Sequence, residues 1–560
     1  MLQPEDAAVD VSTEDKTLAI SSLADKNVSE NLDGTHVSAE ETESASQSPL
    51  DKKMWSTISA FMVSILLANL DQTIVATALP RIASQFDKLS QSAWVATSYL
   101  LTFAGLMLFQ GQLLTLAPAK HVYLCSLIVF GIGSLICAVA RSFPVLIFGR
   151  AFAGTGGAGV VNAVLIIIAQ NSRIEDRTML FSLLGMMHAL ASIVGPLIGG
   201  AFTDHVTWRW CFFINLPFVG VIMVAVFFFL KTRRALGRER DEPARRFELL
   251  YMLDWVGAVL SLAAVVALLL PLQWGGATYA WDSAVIIALF VVSGVLMILF
   301  VTWEYYKGSS ALLPLRLFLS RTQVGTTLES AFIGLGLLNG TYYLPLWYQA
   351  QGHSATKSGV DILPFMLSVI IASIASGAII KMTGRYWHVL VLSPLLCSIG
   401  AGLLSSLTIS TPNSHAIGFQ ILYGVGVGGA MQNVFIACQA EWEGQDGLLA
   451  QATTVLTFTQ VLGGVAGVSI SGTIFTNLLR TNLRVYAPQL PAALVVAVEQ
   501  SVTAIAEVAP DMRAAVLHAY TFSISRVFLI GVPAGALASL SGMLVRNIRL
   551  QDGKTSEGVS

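Results

Sequence analysis

Residues 66–80, LLANLDQTIVATALP, give the first indication of the architecture. The run is apolar enough for the outer part of a membrane span, yet Asp71 lies inside it. A carboxylate within the hydrocarbon region costs about 2.5–3.5 kcal/mol on insertion scales. We therefore expect a compensating group on another helix, and a function that requires the acid.

The composition of the whole chain supports a membrane location. Of its 560 residues, 54% are hydrophobic and only 12% are charged, and the mean hydropathy is +0.69. Soluble domains carry about 25% charged residues, so the composition indicates an integral protein of the lipid bilayer. The net charge of -2 argues against a nucleic-acid partner. The five cysteines fall in apolar runs without the paired spacing of metal ligands, so we expect no metal site, disulfide framework or cofactor.

Apolar runs along the chain predict the number of helices that cross the bilayer. A helical span needs about 20 apolar residues, and about fourteen runs of this length lie between residues 55 and 545. The sequence therefore predicts an all-α polytopic membrane protein. Residues 1–50 are acidic, rich in Ser and Thr and poor in aromatic residues, which predicts a disordered tail.

The charge of the connecting loops predicts the orientation of the spans. The connection after the sixth span, KTRRALGRERDEPARR at residues 231–246, is strongly basic, whereas WGGATYAWD at residues 274–282 has no basic residue. Basic loops stay in the cytoplasm, so we expect both termini there and a long extracellular loop over residues 477–525. Asn27 and Asn339 match the N-glycosylation pattern only weakly, because one is predicted to be cytoplasmic and the other lies inside a span.

Four stretches together carry a family resemblance. They are LDQTIVATALPRI in span one, GRAFAGTGGAG in span four, GPLIGG in span five and WRWCFFINLPF, which leads into span six. In these motifs the chain resembles the major facilitator superfamily and, within it, the fourteen-span drug:proton antiporters, including fungal-type efflux pumps. The resemblance implies conformational roles for the motif residues Gly154, Gly195, Pro196, Gly199 and Gly200.

The resemblance also implies a domain organisation. Two six-helix bundles would occupy residues 51–230 and 304–546, joined by a basic cytoplasmic loop at 231–251 and two inserted helices at 252–303. A short cytoplasmic tail would follow at residues 547–560. The substrate cavity would lie between the bundles near the middle of the membrane.

One departure from the family pattern concerns the loop between spans two and three. Here it reads GQLLTLAPAK, which keeps Gly111 and Lys120 but lacks the acid of the family's charged latch. The matching place after span ten keeps Gly384 and Arg385. We expect gating that is lopsided between the two halves, or slow transport.

Two charges in the outer half of the membrane are the main candidates for chemistry. At 1.5 Å per residue, Asp71 lies about 14 Å and Arg150 about 9 Å below the outer ends of spans one and four. We expect Arg150 to hold Asp71 ionised, and Asp71 to take up an external proton as substrate leaves. A neighbouring cation favours the charged carboxylate and burial disfavours it, so a change of conformation would load and unload one proton. The alternative is a static ion pair that only stabilises the bundle.

A third charge and a set of uncharged groups complete the candidate site. Glu329 is either a second proton site or a contact for a cationic substrate; the alternative is a solvated residue near the cytoplasmic end of span nine. A large, weakly polar organic molecule suits the remaining groups best, although each taken singly also suits a packing contact. The expected cavity residues are Trp94, Gln110, Asn162, Tyr342, Tyr343, Gln432, Asn433 and Gln460.

These features predict a proton-coupled exporter of a hydrophobic small molecule, such as a toxin, drug or secondary metabolite. We expect a monomer in the plasma membrane. One alternative is a fourteen-span siderophore carrier that works inward, and another is a nutrient receptor that keeps the fold without transporting. An enzyme is not expected, because the sequence has no H-E-x-x-H run and no G-x-S-x-G elbow.

Overall fold

The computed structural model describes residues 52–86, 94–236, 251–276, 279–500 and 502–549. The predicted tail at 1–50, the sequon at Asn27, most of the basic loop at 231–251 and the end of the C-terminal tail lie outside these residues. Two compact units divide the chain, Met1–Thr57 and Ile58–Ser560. Of the first unit, only the beginning of a helix at residues 52–57 is described.

Seven helices, two of them interrupted, make up the described N-terminal part and the first inserted helix. They are α1 (Lys52–Gln85), α2 (Trp94–Gly105 and Met107–Leu116), α3 (Ala119–Val139), α4 (Phe143–Asn171), α5 (Ile174–His205), α6 (Trp210–Phe213 and Asn215–Phe229) and α7 (Trp255–Trp274). The two segments of α2 meet at an angle of 40°.

Seven further long helices follow within the described residues, three of them interrupted. They are α8 (Ala284–Lys307), α9 (Arg321–Ala350), α10 (Ala355–Asp361 and Leu363–Thr383), α11 (Trp387–Leu404), α12 (Asn413–Met431 and Asn433–Glu441), α13 (Asp446–Tyr486) and α14 (Pro510–Val527 and Gly531–Leu544).

The length and apolar character of these helices suit a membrane. Within the described residues, twelve helices could cross a bilayer by these criteria, or thirteen if the bent α2 is one span. Helix α9 is not among them because Gln323, Glu329 and Asn339 lower its hydropathy, yet its 30 residues reach about 45 Å at 1.5 Å per residue. Each of the predicted apolar runs therefore corresponds to one of α1 to α14.

The ends of several helices have local causes. Asp254 caps α7 by accepting from Gly257 N at 2.9 Å, and Pro510 lies at the first position of α14, where its missing N–H is not needed. Gly384 ends α10 in the left-handed conformation with φ +68°, and its N–H donates to the Ile380 carbonyl at 2.8 Å. A side chain at this position would be strained.

In the part of the chain that the structure describes, buried apolar side chains form two main cores and a smaller third. Helices α9 to α14 share one core, which contains Trp347, while the N-terminal helices share another around Ile74. The third joins Leu101 of α2, Val265 of α7 and Val465 of α13. The inserted helix α7 thus packs against both groups of helices.

Helix α8 lies at the periphery, and its surface is apolar. Only 17% of its most hydrophobic stretch is buried, and side chains such as Ile298, at 68% exposed, project from it. The same holds for Phe228 of α6, at 73% exposed. Exposed apolar side chains of this density suit contact with lipid hydrocarbon.

The predicted long loop at residues 477–525 differs from the structure. Helix α13 continues to Tyr486, a short helix follows at Ala492–Gln500, and α14 already begins at Pro510. The end of α13 and the start of α14 contain polar residues, so a search for apolar runs does not detect these helical turns.

Candidate functional site

A buried ion pair joins α1 to α4. Asp71 is 0% and Arg150 1% exposed, and Arg150 Nη1 donates to Asp71 Oδ2. Arg150 Nε also donates to the Val95 carbonyl of α2 at 2.9 Å, and its guanidinium lies 4.5 Å from the centre of the Tyr99 ring. The structure thus brings the two predicted charges into direct contact, while their role in proton coupling stays a prediction.

A third residue, Asn215 of α6, completes the surroundings of the pair. Asn215 Nδ2 donates to Asp71 Oδ1 at 2.9 Å and to Ser134 Oγ at 3.1 Å. Both oxygens of Asp71 therefore have a donor, as a buried carboxylate requires. Sequence reasoning missed Asn215, although an amide inside the apolar stretch 210–229 was an available signal.

A cavity of about 610 Å³ lies beside the ion pair, between the N-terminal and C-terminal groups of helices. Arg150 lines this cavity, and it extends to Gly276 beyond the end of α7. Four of the predicted substrate contacts line it: Tyr342, Tyr343, Gln432 and Gln460. Further polar lining that sequence reasoning did not assign comes from Asn69, Gln72, Thr97, Tyr99, His188 and Gln273.

The other four predicted cavity residues, Trp94, Gln110, Asn162 and Asn433, are not among those that line this cavity. Trp94 instead packs edge-on against Trp274 of α7, with ring centres 5.7 Å apart. Gln110 is buried, and its Cδ would lie 3.1 Å from a methyl group on Gly159 of α4.

Asn162 and Asn433 form hydrogen bonds next to the interruptions of two helices, α2 and α12. Asn162 Nδ2 donates at 3.2 Å to the carbonyl of Met107, where the second segment of α2 begins. Asn433 begins the second segment of α12, and its Nδ2 donates to Ser376 Oγ of α10 at 2.8 Å. Asn433 Nδ2 also donates at 2.6 Å to the Gly429 carbonyl, just before the break in α12, where backbone groups need partners. Both amides therefore have protein partners without substrate.

Glu329 lies apart from both the ion pair and the lining of the cavity. It is 0% exposed, so the structure does not support the alternative of a solvated residue. Neither carboxyl oxygen has a hydrogen-bond partner among the described residues, and a methyl group built on Gly542 of α14 would lie 3.3 Å from one of them. A contact with substrate has no support in this conformation, and a role in proton coupling stays a prediction.

The glycines of GPLIGG differ in their surroundings. A methyl group on Gly195 would lie 2.8 Å from Thr73 Cβ of α1, and one on Gly199 would overlap the Ile74 carbonyl oxygen. Gly200 has nothing within 4 Å of such a methyl. Two of the three motif glycines therefore let α5 approach α1 next to Asp71, and the third does not.

The other motif residues have separate surroundings. A methyl group on Gly154 would overlap the Tyr99 carbonyl, so this glycine lets α4 approach α2. Pro196 lies inside α5 without ending it. Gly384 ends α10 as described, and Arg385 beside it is exposed.

The predicted loop GQLLTLAPAK is mostly helical, because Gly111 lies in α2 and Lys120 in α3, and these two family residues make other contacts. Lys120 Nζ donates to the carbonyls of Phe227 and Leu230 at 2.9 and 2.6 Å, which caps the end of α6. Gly111 packs against Thr454 of α13, whose Cβ would lie 2.8 Å from an added methyl. Whether gating is lopsided or slow without the usual acid stays a prediction.

Contacts between the two groups of helices close the side that carries the α4–α5 and α10–α11 connections. Ser182 Oγ of α5 donates to the Ser373 carbonyl of α10 at 2.9 Å. Arg177 Nη1 donates to Gln439 Oε1 of α12 at 3.3 Å. On the opposite side the cavity lies at the end of α7.

The sequon residue Asn339 is 0% exposed and accepts from Ser471 Oγ of α13 at 3.1 Å. Its place inside α9 makes it inaccessible to glycosylation in this fold.

Long apolar helices in two groups, with a cavity between them and closure on one side, define a polytopic membrane protein built to carry molecules across a bilayer. Residues 61–468 match the sequence profile of the Major Facilitator Superfamily. The chain belongs to this superfamily of transporters.

Three fungal relatives are similar over most of their length. The MFS-type transporter astH of Aspergillus oryzae is 39% identical, and the match covers 91% of this chain and 90% of astH. The MFS-type efflux pump MFS1 of Arthroderma benhamiae is 39% identical, with 86% and 89% covered. The efflux pump roqT of Penicillium rubens is 40% identical, with 87% and 89% covered.

A solved structure shares the fold. The human organic anion transporter MFSD10 (TETRAN) superposes with a TM-score of 0.53 at 12% identity, covering 87% of this chain and all of that one. At this identity the likeness supports the fold alone.

Proposed function

We propose that this chain is a proton-coupled antiporter that exports a hydrophobic small molecule from the cell. The observation that carries the proposal is the buried Asp71–Arg150 pair beside a cavity lined by amides and aromatic rings. Relatives that are 39% and 40% identical bear the name efflux pump, which supports the outward direction.

The proton step follows from the contacts of Asp71. In this conformation two donors, on Arg150 and Asn215, stabilise the ionised carboxylate. As substrate leaves to the outside, a movement of α1 against α4 that lengthens the contact with Arg150 would leave a buried charge with one partner, which favours uptake of an external proton. Re-formation of this contact when the cavity opens to the cytoplasm would release the proton there, and this couples the gradient to the movement.

Glu329 is the second proposed proton site. Its burial without a partner favours the neutral acid, and loss of that proton requires water to reach the α9–α14 contact. This proton would be additional to the one on Asp71.

The proposed setting is the plasma membrane, with both termini in the cytoplasm and the chain acting as a monomer. The basic loop at 231–246 supports this orientation. With that orientation, the closed side faces the cytoplasm, and the conformation is outward-facing. No catalytic activity is proposed for this transporter.

The test has two stages. A drug-sensitive yeast strain expressing the chain is first screened for compounds whose toxicity falls and whose efflux rises. One such compound is then measured in vesicles reconstituted with wild type, Asp71→Asn, or the control Asp361→Asn. Asp361 is an acid outside the cavity, paired with His353 at 2.5 Å.

We expect Asp71→Asn to lose transport driven by a pH gradient and to keep exchange of labelled for unlabelled compound. Asp361→Asn should keep both. Gradient-driven transport at the wild-type rate in Asp71→Asn would refute the role of this residue. Net accumulation in whole cells, instead of efflux, would favour an inward carrier.

A further inference from the structure

The cavity contains a histidine whose hydrogen-bonding state is fixed by its neighbours. His188 of α5 lines the cavity, and its Nδ1 lies 2.7 Å from Asn69 Oδ1 of α1. The Asn69 amide is itself oriented, because its Nδ2 donates to the Ile65 carbonyl at 2.7 Å. Its oxygen therefore faces the ring, and Nδ1 must be the nitrogen that carries the hydrogen.

In the neutral ring, Nε2 is then an acceptor. The structure gives Nε2 no hydrogen-bond partner from the described residues, and His188 is only partly buried, on the cavity side. A donor that enters the cavity is the natural partner for this lone pair. Phenolic and enolic hydroxyls are strong donors of this kind.

The charges around the cavity favour the same chemistry. Among the described residues that line it, the titratable side chains other than His188 are Arg150 and three tyrosines, and none is an acid. Asp71 contacts Arg150, which lines the cavity, but Asp71 itself is fully buried and already paired with this arginine. An organic cation would lose its hydration without gaining a counter-charge, whereas a neutral hydroxyl needs only the acceptor that Nε2 offers.

We propose that His188 is a substrate-binding residue, and that the cavity takes a hydroxylated aromatic molecule as a neutral or weakly acidic donor to His188 Nε2. This inference rests on the proposed transport function, because it assigns the substrate class of the same cavity. Tyr99, Phe103 and Phe435, which also line the cavity, supply aromatic surface for the ring.

The test compares a phenol with its methyl ether, which differ in the donor hydrogen. The probes are 4-phenylphenol and 4-methoxybiphenyl, with tetraphenylphosphonium as the cation. Equilibrium binding to the full chain in lipid nanodiscs is measured without a proton gradient. Two variants separate the contributions of the two ring nitrogens. His188→Asn keeps a donor for Asn69 but has no atom at the Nε2 position. His188→Gln places an amide oxygen close to the Nε2 position.

We expect wild type to bind 4-phenylphenol about 3- to 10-fold more tightly than the ether, the effect of one hydrogen bond. His188→Asn should lose this preference and His188→Gln should retain it. Tetraphenylphosphonium should not displace bound 4-phenylphenol.

Four results would overturn the inference. They are equal binding of phenol and ether by wild type, a preference that survives in His188→Asn, no measurable binding of either aromatic compound, and displacement by the cation at the phenol's own concentration. Because no gradient is used, a failure of proton-coupled export appears only in the vesicle assay, and the two failures are distinguishable.

Discussion

Adjacent glycines of one motif allow a sharp test of how α5 and α1 pack. Gly199 and Gly200 both belong to GPLIGG, and a reading of the motif alone treats them alike. In the structure a methyl group on Gly199 would overlap the Ile74 carbonyl oxygen of α1, and one on Gly200 would meet nothing within 4 Å. We therefore expect Gly199→Ala to damage the protein and Gly200→Ala to leave it intact.

The size of the expected loss of stability follows from the kind of atom that the added methyl group would contact. The carbonyl oxygen of Ile74 belongs to the helix backbone, so α5 and α1 must separate as units to admit the methyl. Forced insertion of a methyl into a packed contact costs about 1–3 kcal/mol. Ala in place of a helical Gly gains up to about 1 kcal/mol, so Gly200→Ala should be neutral or slightly stabilising.

Thermal unfolding in nanodiscs and transport in vesicles measure the two effects. Gly199→Ala should lower the unfolding midpoint and slow gradient-driven transport about tenfold, the kinetic equivalent of about 1.4 kcal/mol, because α1 carries Asp71. Gly200→Ala should match wild type in both assays. Equal effects of the two substitutions would refute the close approach of α5 to α1 as the reason for the motif.

Three further substitutions test individual contacts. Asn215→Leu removes a donor to the Asp71 carboxylate, so we expect a loss of about 1.5–3 kcal/mol of stability. The loss should be much smaller when Asp71→Asn is already present. Additive losses in the double variant would contradict the contact. Lys120→Met removes the cap of α6 and should cost at most about 1 kcal/mol in thermal unfolding, without changing binding in the cavity; a large loss of binding would show that the loop acts on the site. Glu329→Gln should lower the number of protons moved per substrate, measured from paired proton and substrate fluxes, while transport continues; an unchanged ratio would leave Glu329 a structural acid.

Length and apolar character were enough to predict the helices, because each span is long and the bilayer fixes its minimum length. The ends were predicted less well. Helix α13 continues to Tyr486 through a stretch that contains Arg480 and Arg484, and a search for apolar residues stops where polar residues begin. Pro510 was a usable signal for the start of α14.

The contact between Asp71 and Arg150 was predictable because both residues are single charges at similar depth on helices that line a family cavity. Asn215 was harder to assign, since an amide in an apolar run has many candidate partners and its distance from α1 depends on packing. Once α6 is placed, Asn215 is the donor that satisfies the second oxygen of Asp71.

Cavity residues were predicted only in part, for a related physical reason. An amide in a span either faces the cavity, as Gln432 does, or bonds a neighbouring helix, as Asn162 does through the Met107 carbonyl. Gly105 ends the first segment of α2, but a glycine is a weak signal for a break, because Gly131 and Gly133 lie inside the continuous helix α3. Spatial arrangement decides between these two uses.

Proton release on substrate binding tests most directly whether Asp71 is the coupling group. The purified chain in weakly buffered nanodiscs is mixed with an exported compound while a pH indicator is recorded. If proton and substrate occupy the chain alternately, wild type should release up to about one proton from Asp71 per molecule bound, besides any from Glu329, by the reciprocity of linked binding, and Asp71→Asn should release correspondingly fewer. The same proton release from Asp71→Asn and wild type would contradict the account.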